Sequence, residues 1–468
     1  MTPADQQEAL RELIRGSFPA FVRKVFHEVN PTVQFFDALY LDALMHGLDL
    51  CRTRAIKRLI ITMPPRSLKS IVTSVAFPAF LLGHNPAERI LCISYAHELA
   101  QKHARDFRSV VESSWYGSAF PKTVALRNVE EIFETTRHGY RRSGSFAGGQ
   151  TGLGANIIIV DDAIKADEAL SKSAREKTND LFANTLYSRL DHKIEGVIIV
   201  VMQRLHDDDL VGHLLRQGGW HHLNFPAIAV KDESISIGNG ELYHRKKGEV
   251  LNPEFEPLSS LEETRRMMGT MNFEAQYQGS PIPETGNLIK REWFHFYQSQ
   301  PPSSNARLVQ SWDTANKGEE VHDYSVGTTW LYSDGKHFLI DLIRRQCDYP
   351  TLSKLVLEQC SKYKPDALLI EDHGSGSALI ADLKERSSIN AIPIMPTGDK
   401  VTRLSIVSPM FERGEIFVPQ NAPWLMEFMD ELLRFPQARF DDQVDSVTQY
   451  LNWHRNCVKK DEFDVFWT

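Results

Sequence analysis

The chain contains 468 residues, of which 42% are hydrophobic and 24% carry a charged side chain. This balance is typical of a globular protein with roughly 150 residues per domain, and it excludes a disordered chain, a collagen and a coiled-coil rod. The 53 Lys and Arg and 61 Asp and Glu residues give a net charge of −8. An acidic total does not exclude a nucleic-acid partner, because segment 51–70 carries only basic charges.

The cysteines and the amino-terminal segment indicate the cellular compartment in which the protein works. The five cysteines are widely spread and none lies in a C-x-x-C pair, which favours a reducing, cytosolic setting. Residues 1–18 have the pattern of an amphipathic helix rather than of a signal peptide, which would need an apolar central region. No apolar run approaches the ~20 residues of a membrane-spanning helix, so we expect no membrane association.

The first half of the chain alternates apolar runs with helical patterns. The runs lie at 58–62, 90–94, 157–160 and 197–201, and the helical patterns include 98–111 and 167–190. Continuous Ile and Val residues without alternation are typical of strands that are buried on both faces of a parallel sheet. This half is therefore predicted to be an α/β domain with a mainly parallel sheet.

The rest of the chain has two different characters. Glycine and proline interrupt residues 229–289, which we interpret as a linker or small subdomain with one helix around 260–268. Strands and helices follow in a second pattern that begins near residue 308. The predicted strands are 308–313, 325–332, 337–343 and 367–370, and the predicted helices are 351–363, 378–386, 400–413, 424–433 and 441–453.

Residues 58–70, RLIITMPPRSLKS, have the layout of a phosphate-binding loop, in which a strand leads through a turn into a helix. Backbone N–H groups of such a loop point at the phosphates of a nucleotide. Lys69 would neutralise the β- and γ-phosphates, and the Ser70 hydroxyl would hold Mg²⁺. The strict pattern has glycine where Met63 and Leu68 stand, and a Lys-Ser pair alone also arises by chance. The loop residues preceding the lysine would be Arg66, Ser67 and Leu68.

The third apolar run leads directly into Asp161 and Asp162. Asp161, at the end of the strand, is predicted to hold the water shell of Mg²⁺. Asp162 stands where a base can polarise the water that attacks the γ-phosphate. The alternative for this pair is that it caps the next helix.

Two further segments complete the predicted ATP site. The fourth apolar run ends in Met-Gln-Arg at 202–204, a position from which side chains can sense the γ-phosphate. The glycine-rich segment 141–154 contains Arg141 and Arg142, and either is a candidate arginine finger for this or a neighbouring subunit. A solvated loop charge is the alternative for both arginines.

Carboxylates also close two strands of the second pattern, Asp313 in SWDTA and Glu371 in LLIEDHGSG. Asp441, Asp442 and Asp445 lie in RFDDQVDSV at the start of the last predicted helix, where their spacing puts them on one face. Such a cluster repels itself unless it binds divalent cations. A pair of Mg²⁺ or Mn²⁺ ions would activate a water and stabilise the leaving oxygen of a phosphodiester. The strand order fits a ribonuclease H-like nuclease. The alternative is that each acid is a cap or a surface charge, and spacing leaves open which of the three helix acids binds metal.

Taken in order, these motifs resemble those of the large terminase subunit of tailed bacteriophages. LIITMPPRSLKS is similar to that family's variant phosphate loop, IIIVDDAIK to its Asp-Asp form of the Walker B strand, and VVMQRLHDDDLVG to its coupling segment. SWDTA, IEDHGSG and FDDQVDSV are similar to its three nuclease motifs. The resemblance extends from about residue 26 to residue 450.

The resemblance implies an amino-terminal P-loop ATPase domain at 1–228 and a carboxyl-terminal ribonuclease H-like nuclease domain with a mixed sheet at 290–468. ATP and Mg²⁺ are the implied cofactors, and Mn²⁺ can replace Mg²⁺ in the nuclease. The residues implied for ATP hydrolysis are Lys69, Ser70, Asp161 and Asp162. The residues implied as nuclease metal ligands are Asp313, Glu371 and Asp445, with Asp442 as an auxiliary ligand.

The implied function is a packaging motor in the host cell cytoplasm, in which ATP hydrolysis drives double-stranded DNA into a procapsid and the nuclease cuts concatemeric DNA. Implied partners are the portal protein and a small terminase subunit, and the chain would work as a homo-oligomeric ring while being a monomer in isolation. One alternative is a helicase-like or repair ATPase fused to a resolvase-type nuclease, and another is a non-catalytic capsid or scaffold component. DNA contacts would be mostly to phosphates. The candidate basic helix face, which a plain solvated helix also explains, consists of His97, Lys102, His103, Arg105 and Arg108.

Overall fold

The computed structural model describes residues 3–146, 152, 154–281, 288–299, 306–314, 324–386, 389–438 and 440–465. The chain divides into two compact units, Met1–Pro283 and Glu284–Thr468. Among the described residues, no helix is long and apolar enough to cross a membrane. The division into three regions with boundaries at residues 228 and 289 stays a prediction.

A twisted, mainly parallel sheet forms the centre of the first unit. Its strands are β1 (Arg58–Thr62), β2 (Arg89–Ser94), β3 (Ala125–Asn128), β4 (Ile132–Thr135), β5 (Tyr140–Ser145), β6 (Ile157–Asp161), β7 (Val197–Met202) and β8 (His221–Asn224). Their order is β3-β4-β5-β2-β6-β7-β1-β8. All neighbours from β5 to β8 in this order are parallel, and β3 and β4 are antiparallel additions at one edge. The predicted α/β fold is confirmed.

The four apolar runs form the central strands because their side chains feed two separate cores. In β1, Leu59 and Ile61 join the larger hydrophobic cluster, whereas Ile60 joins a second cluster on the opposite face of the sheet. Burial of every residue removes the need for a polar face, which is why the run shows no alternation. Functional side chains are therefore found where the strands end.

Helices cover both faces of this sheet. They are α1 (Pro3–Gly16), α2 (Phe18–Val29), α3 (Leu39–Arg52), α4 (Phe77–His84), α5 (His97–Glu112), α6 (Ser114–Ala119), α7 (Lys172–Leu181) and α8 (Leu210–Gln217). Helices α2 to α4 contribute to the larger cluster and α8 to the second. The helix predicted over 167–190 is shorter than expected, because α7 begins at Lys172 and continues into the π-helical turn Phe182–Leu186.

The segment interpreted as a linker contains more structure than the sequence indicates. It holds the antiparallel hairpin of β9 (Glu233–Gly238) and β10 (Glu241–Arg245), followed by α9 (Leu258–Met268) and α10 (Thr270–Gln276). Only α9 was expected. Asn239 and Gly240 make the hairpin turn with φ of 54° and 79°, values that Asn and Gly adopt most readily. Ile235 and Ile237 of β9 pack against the larger core, so the hairpin belongs to the first unit.

The second unit is built on a mixed sheet, as predicted for a ribonuclease H-like fold. Its strands are β11 (His295–Tyr297), β12 (Arg307–Asp313), β13 (Ser325–Ser333), β14 (Lys336–Arg345), β15 (Ala367–Glu371), β16 (Ala391–Ile394) and β17 (Ile416–Pro419). Their order is β11-β17-β14-β13-β12-β15-β16, with β12, β13 and β14 antiparallel and the remaining pairs parallel. The helices are α11 (Tyr349–Tyr363), α12 (Ser375–Arg386), α13 (Lys400–Glu412), α14 (Leu425–Arg434) and α15 (Asp442–Val465).

Candidate nucleotide and nuclease sites

The loop between β1 and the following helix has the backbone of an anion-binding nest. Arg66 and Leu68 adopt positive φ values of 59° and 61°, whereas Ser67 and Lys69 do not, so the sign of φ alternates along residues 66–69. Such alternation points successive N–H groups toward one side. Leu68 thus takes the conformation that glycine provides in the strict motif, at a cost of about 1–2 kcal/mol for a residue with a side chain. The helix starts at Lys69 and runs through the π-helical segment Ile71–Ala76 into α4.

Lys69 and Asp162 form a largely buried ion pair, with 2.8 Å between Lys69 Nζ and Asp162 Oδ1. The backbone N–H of Gln203 also donates to Asp162 Oδ1 at 3.4 Å. Burial raises the pKa of the Asp162 carboxyl, and the ammonium of Lys69 opposes that rise. The next helix, α7, begins only at Lys172, so Asp162 is not its cap.

Asp161 accepts hydrogen bonds on both carboxylate oxygens. Ser70 Oγ donates to Oδ1 at 3.1 Å and Ser74 Oγ donates to Oδ2 at 2.7 Å. The serine hydroxyl and the strand-end carboxylate are thus adjacent, and these are the oxygen donors with which a phosphate-loop site holds Mg²⁺. His103 Nδ1 lies 3.6 Å from Asp161 Oδ2, and both side chains are buried. Burial, together with the charges of Arg141 and Lys102, lowers the pKa of His103 to about 4, so its ring is neutral at pH 7.

This geometry corrects two expectations about basic residues. His103 was grouped with the DNA-facing side chains of α5, but it is buried against Asp161, whereas Lys102 and Arg105 are exposed. Arg141 is only 2% exposed and donates to the carbonyl oxygen of Ser74 at 3.1 Å. A guanidinium that is enclosed in this way does not reach a neighbouring subunit. The residues 147–151 and 153 of the glycine-rich segment lie outside the described part of the chain.

The segment after β7 contains one residue with a structural role, Arg204, and one candidate sensor of the γ-phosphate, Gln203. Arg204 Nε lies 3.0 Å from both carboxylate oxygens of Asp209, and both side chains are buried. Asp209 also caps α8 by accepting from the Gly212 N–H at 2.8 Å. Arg204 therefore holds this segment together. Gln203 Oε1 is buried and makes no hydrogen bond to the described residues, so Gln203 stays the predicted sensor.

A small cavity of about 20 Å³ adjoins the start of the phosphate loop. Pro64, Pro65 and Ser67 of the loop line it together with Tyr40. The segment after the β9–β10 hairpin also lines it, with Asn252, Phe255 and Glu256. The cavity thus combines an aromatic ring, an amide and a carboxyl group next to the anion-binding nest.

The predicted nuclease carboxylates converge at one end of the second sheet. Residues Trp312 of β12 and Ile370 of β15 are register partners, so Asp313 and Glu371 follow at neighbouring strand ends. Helix α15 is attached beside them by reciprocal hydrogen bonds between Ser311 and Ser446, of 2.8 and 2.9 Å. Burial, and then the negative charges of the other carboxylates of this cluster, raise the pKa of Asp313 well above its usual range. The interacting carboxylates are Asp445, Glu371 and Asp442.

Asp445 is already paired with two protein cations. Lys400 Nζ lies 2.7 Å from Asp445 Oδ2 and 2.6 Å from Asp441 Oδ1, and the Arg403 guanidinium donates to Asp445 Oδ1. Among the described residues, no three Asp, Glu, His or Cys side chains are close enough in this conformation to hold one metal ion. The donor chemistry of the cluster fits Mg²⁺ or Mn²⁺, which prefer carboxylate oxygens. Its side chains must move to surround an ion.

The start of α15 is fixed by a buried carboxylate from another helix. Glu431 of α14 accepts from the N–H and the side-chain amide of Gln443 at 2.7 and 2.6 Å, and from the N–H of Val444 at 3.3 Å. The Arg344 guanidinium lies 3.9 and 4.7 Å from the ring centroids of Tyr324 and Phe440, and within 3.8 Å of Glu431 and Asp442. Sequence reasoning missed these residues, along with Lys400 and Arg403.

The glycines after Glu371 serve the fold of the chain itself. A Cβ on Gly376 would lie 1.9 Å from the carbonyl oxygen of Glu371, so only glycine allows α12 to start this close to β15. Gly374 has a φ of 53° in the same turn.

The two units together define a class: an α/β unit with a phosphate loop opposite a strand-end Asp pair, and a ribonuclease H-like unit with a carboxylate cluster. Residues 310–453 match the family model of the terminase RNaseH-like domain. The solved large terminase of a thermophilic bacteriophage is similar in fold, with a TM-score of 0.54 and 11% identity over 90% of this chain and 99% of that chain.

A second structure of the same thermophilic-phage terminase, in complex with ATP-gamma-S, has a TM-score of 0.52 and 12% identity, covering 89% of this chain and 99% of that one. The large terminase of bacteriophage HK97 has a lower similarity, with a TM-score of 0.37 and 12% identity over 85% and 90% of the two chains. No curated protein matches the chain in sequence. The predicted resemblance to large terminases is confirmed, by the family match for the nuclease unit and by the fold of the thermophilic-phage terminase for most of the chain.

Proposed function

We propose that this chain is the large subunit of a bacteriophage DNA-packaging machine, which hydrolyses ATP to move double-stranded DNA into a procapsid and cuts concatemeric DNA. The observation that carries the proposal is the presence of both chemistries in one chain. Lys69, Ser70, Asp161 and Asp162 meet at one edge of the first sheet. The carboxylates around Asp313 meet at the end of the second.

In the ATP site, Ser70 and Asp161 are the proposed Mg²⁺ donors, since their oxygens are adjacent and Ser74 orients the carboxylate. Lys69 binds the phosphates and Asp162 takes the proton of the attacking water. The backbone N–H groups of residues 66–68 bind phosphate oxygens. Mg²⁺ supplies charge neutralisation on the phosphates when bound.

The side chains around this small cavity are the proposed base subsite of ATP, and the site has to widen to admit a purine, since about 20 Å³ holds only about one water molecule. Phe255, which is 45% exposed, provides aromatic surface, and Asn252 and Glu256 provide polar groups for the edge of a purine. The cavity adjoins the loop residues Pro64 to Ser67. A single nucleotide could therefore place its base here and its phosphates on the N–H groups of the loop. Asn252→Ala is expected to weaken ATP binding while leaving inorganic triphosphate binding unchanged.

In the nuclease site, Asp313, Glu371 and Asp445 are the proposed metal ligands and Asp442 is auxiliary. Mg²⁺ or Mn²⁺ supplies Lewis-acid activation of water when bound. The role of the chain is to gather carboxylates on β12, β15 and α15 so that their shared repulsion favours cation binding. Glu431 fixes the first turn of α15, which carries Asp442 and Asp445.

The proposed partners are double-stranded DNA, a portal protein of the procapsid and a small terminase subunit, in a homo-oligomeric ring in the host cytoplasm. DNA binding is expected to rest on phosphate contacts and to weaken strongly with salt. Exposed Lys102 and Arg105 on α5 are candidates for such contacts.

Reciprocal loss of the two activities tests the function. Lys69→Met is expected to lower ATP turnover at least about 100-fold while metal-dependent cutting persists, because the phosphate lysine is a main source of charge stabilisation. Asp313→Asn is expected to do the reverse. Equal loss of both activities in each folded variant would contradict two separate sites. ATP-dependent strand separation on forked DNA, without movement along intact duplex, would instead favour the repair-type ATPase.

A further inference from the structure

Both carboxylate oxygens of Asp445 are engaged by side chains of α13. Lys400 takes Oδ2 at 2.7 Å, and Arg403 takes Oδ1. The Asp445 side chain is 6% exposed, so these contacts leave it little access to solvent. Such a carboxylate is unavailable to another cation until at least one of the two pairs opens.

The positions of Lys400 and Arg403 on helix α13 support a role for both side chains in pairing with Asp445. Both lie in the first turn of α13, after the cap Asp399, which accepts from the Thr402 N–H at 2.8 Å. Positive side chains are unfavourable at a helix amino terminus, where the backbone dipole is itself positive. The carboxylates of α15 compensate for this placement. A hydrogen bond from Asn452 of α15 to the Arg403 carbonyl oxygen, at 3.2 Å, holds the two helices together.

The charge of this pair equals that of one divalent ion. Lys400 and Arg403 carry two positive charges, and they lie on the one carboxylate of the cluster that also interacts electrostatically with Asp313 and Glu371. A metal ion that is coordinated by Asp445 must therefore displace at least one of these two cations. Replacement makes the apparent metal affinity lower than the carboxylates alone would give.

We propose, on the basis of the nuclease function above, that Lys400 and Arg403 compete with the divalent metal for Asp445 and so set the metal concentration at which the nuclease site fills. This competition keeps the nuclease site free of metal when the concentration of free divalent metal ions is low. Lys400 is 39% exposed and can swing into solvent, whereas Arg403 is largely enclosed. Lys400 is therefore the cation that leaves.

The test is Mn²⁺ binding to the full chain without nucleotide or DNA, followed by the electron paramagnetic resonance signal of free Mn²⁺. Asp313→Asn identifies which bound Mn²⁺ belongs to the nuclease site. Lys400→Met is expected to tighten that site about tenfold, which corresponds to about 1.4 kcal/mol. Lys400→Arg, which keeps the charge, is expected to stay near the wild-type affinity.

Lys354→Met is the matched control, because Lys354 is 79% exposed on α11 of the same unit and pairs only weakly with Glu358 at 3.8 Å. It removes one charge and is expected to leave Mn²⁺ affinity unchanged. Direct competition persists in 0.5 M salt, whereas a distant charge effect is screened there. The gain is also expected to disappear when Asp445→Asn is added to Lys400→Met.

Unchanged or weaker Mn²⁺ binding in folded Lys400→Met would overturn the competition. Normal Mn²⁺ affinity with a lower cutting rate at saturating Mn²⁺ would also overturn it, since Lys400 would then act on DNA. If Mn²⁺ binding is the same in Asp313→Asn as in the wild type, the nuclease metal site itself is refuted. The two failures are therefore distinguishable.

Discussion

Replacement of Glu431 by alanine is expected to loosen the start of α15 and to disable the nuclease without affecting the ATPase. Glu431 is 5% exposed and receives three hydrogen bonds from the first turn of α15, which carries Asp442 and Asp445. It acts as a helix cap that is supplied from α14. The variant leaves these donors unpaired and removes a nearby partner of Arg344.

The size of the effect follows from these contacts. Loss of a helix cap costs about 0.5–2 kcal/mol, and a hydrogen bond to a charged group contributes about 1.5–3 kcal/mol. Because the bonds share one carboxylate and water can enter partly, we expect a loss of about 3 kcal/mol rather than the full sum. Opening of the first turns of α15 would then be about 100-fold more frequent.

Hydrogen exchange read by mass spectrometry measures this opening directly, since the N–H groups of Gln443 and Val444 are themselves bonded to Glu431. Peptides from β6 in the first unit provide an internal reference. Glu427→Ala is the matched control: Glu427 lies one turn earlier on α14, contacts Arg344 and is 65% exposed, so its loss is expected to cost under about 1 kcal/mol. Equal exchange of α15 in wild type and Glu431→Ala would refute the cap.

Three further predictions concern single residues. Leu68→Gly is expected to retain ATP turnover, because glycine accepts a φ of 61° freely, whereas Leu68→Val is expected to lower both turnover and thermal stability; equal behaviour of the two variants would contradict the role of backbone conformation. Arg204→Lys is expected to lower the free energy of unfolding of the first unit by about 2–3 kcal/mol in calorimetry, while ATP turnover at temperatures below unfolding is retained; loss of turnover with normal stability would restore a sensing role. Burial, followed by the charges of Glu431 and Asp441, raises the pKa of Asp442 to about 6 from an unfolded value of 3.8. The folded state therefore holds this proton to higher pH, and the resulting stability is present below about pH 3.8 and is lost as pH rises through about 6; Asp442→Asn should flatten that fall in melting temperature in EDTA, and an unchanged profile would contradict the raised pKa.

The central sheets were predictable because burial on both faces leaves a local signature in the sequence. Strands β6 and β7 each contain only one residue other than Ile and Val, and β1 and β2 each contain three Ile or Leu residues. The edge strand β3, its neighbour β4 and the β9–β10 hairpin have mixed composition, since part of their surface meets solvent. Their pairing depends on what lies beside them in space, and a single window of sequence does not contain that information.

The strand-end acids of both sites were predictable for a related reason. Parallel strands end at the same edge of a sheet, so Asp161 near Lys69, and Asp313 near Glu371, follow from the order of the elements. Glu431 and Arg344 gave no such signal, because each acts across the fold on a helix that is distant in sequence. Lys400 and Arg403 did leave a trace: cations in the first turn of a helix indicate that a carboxylate from elsewhere compensates them.

Both candidate sites place a lysine on the carboxylate that the proposed chemistry needs. Lys69 neutralises Asp162 in the first unit, and Lys400 neutralises Asp445 in the second. Clustered carboxylates repel one another and are costly to bury, so a protein that gathers them must supply positive charge from within. A ligand that brings its own charge can change these pairs, because phosphates attract Lys69 and a metal ion replaces Lys400. Ligand binding therefore has to break the same ion pairs that stabilise the two sites. The exchange of a protein cation for a ligand is thus the physical link between stability and activity in this chain.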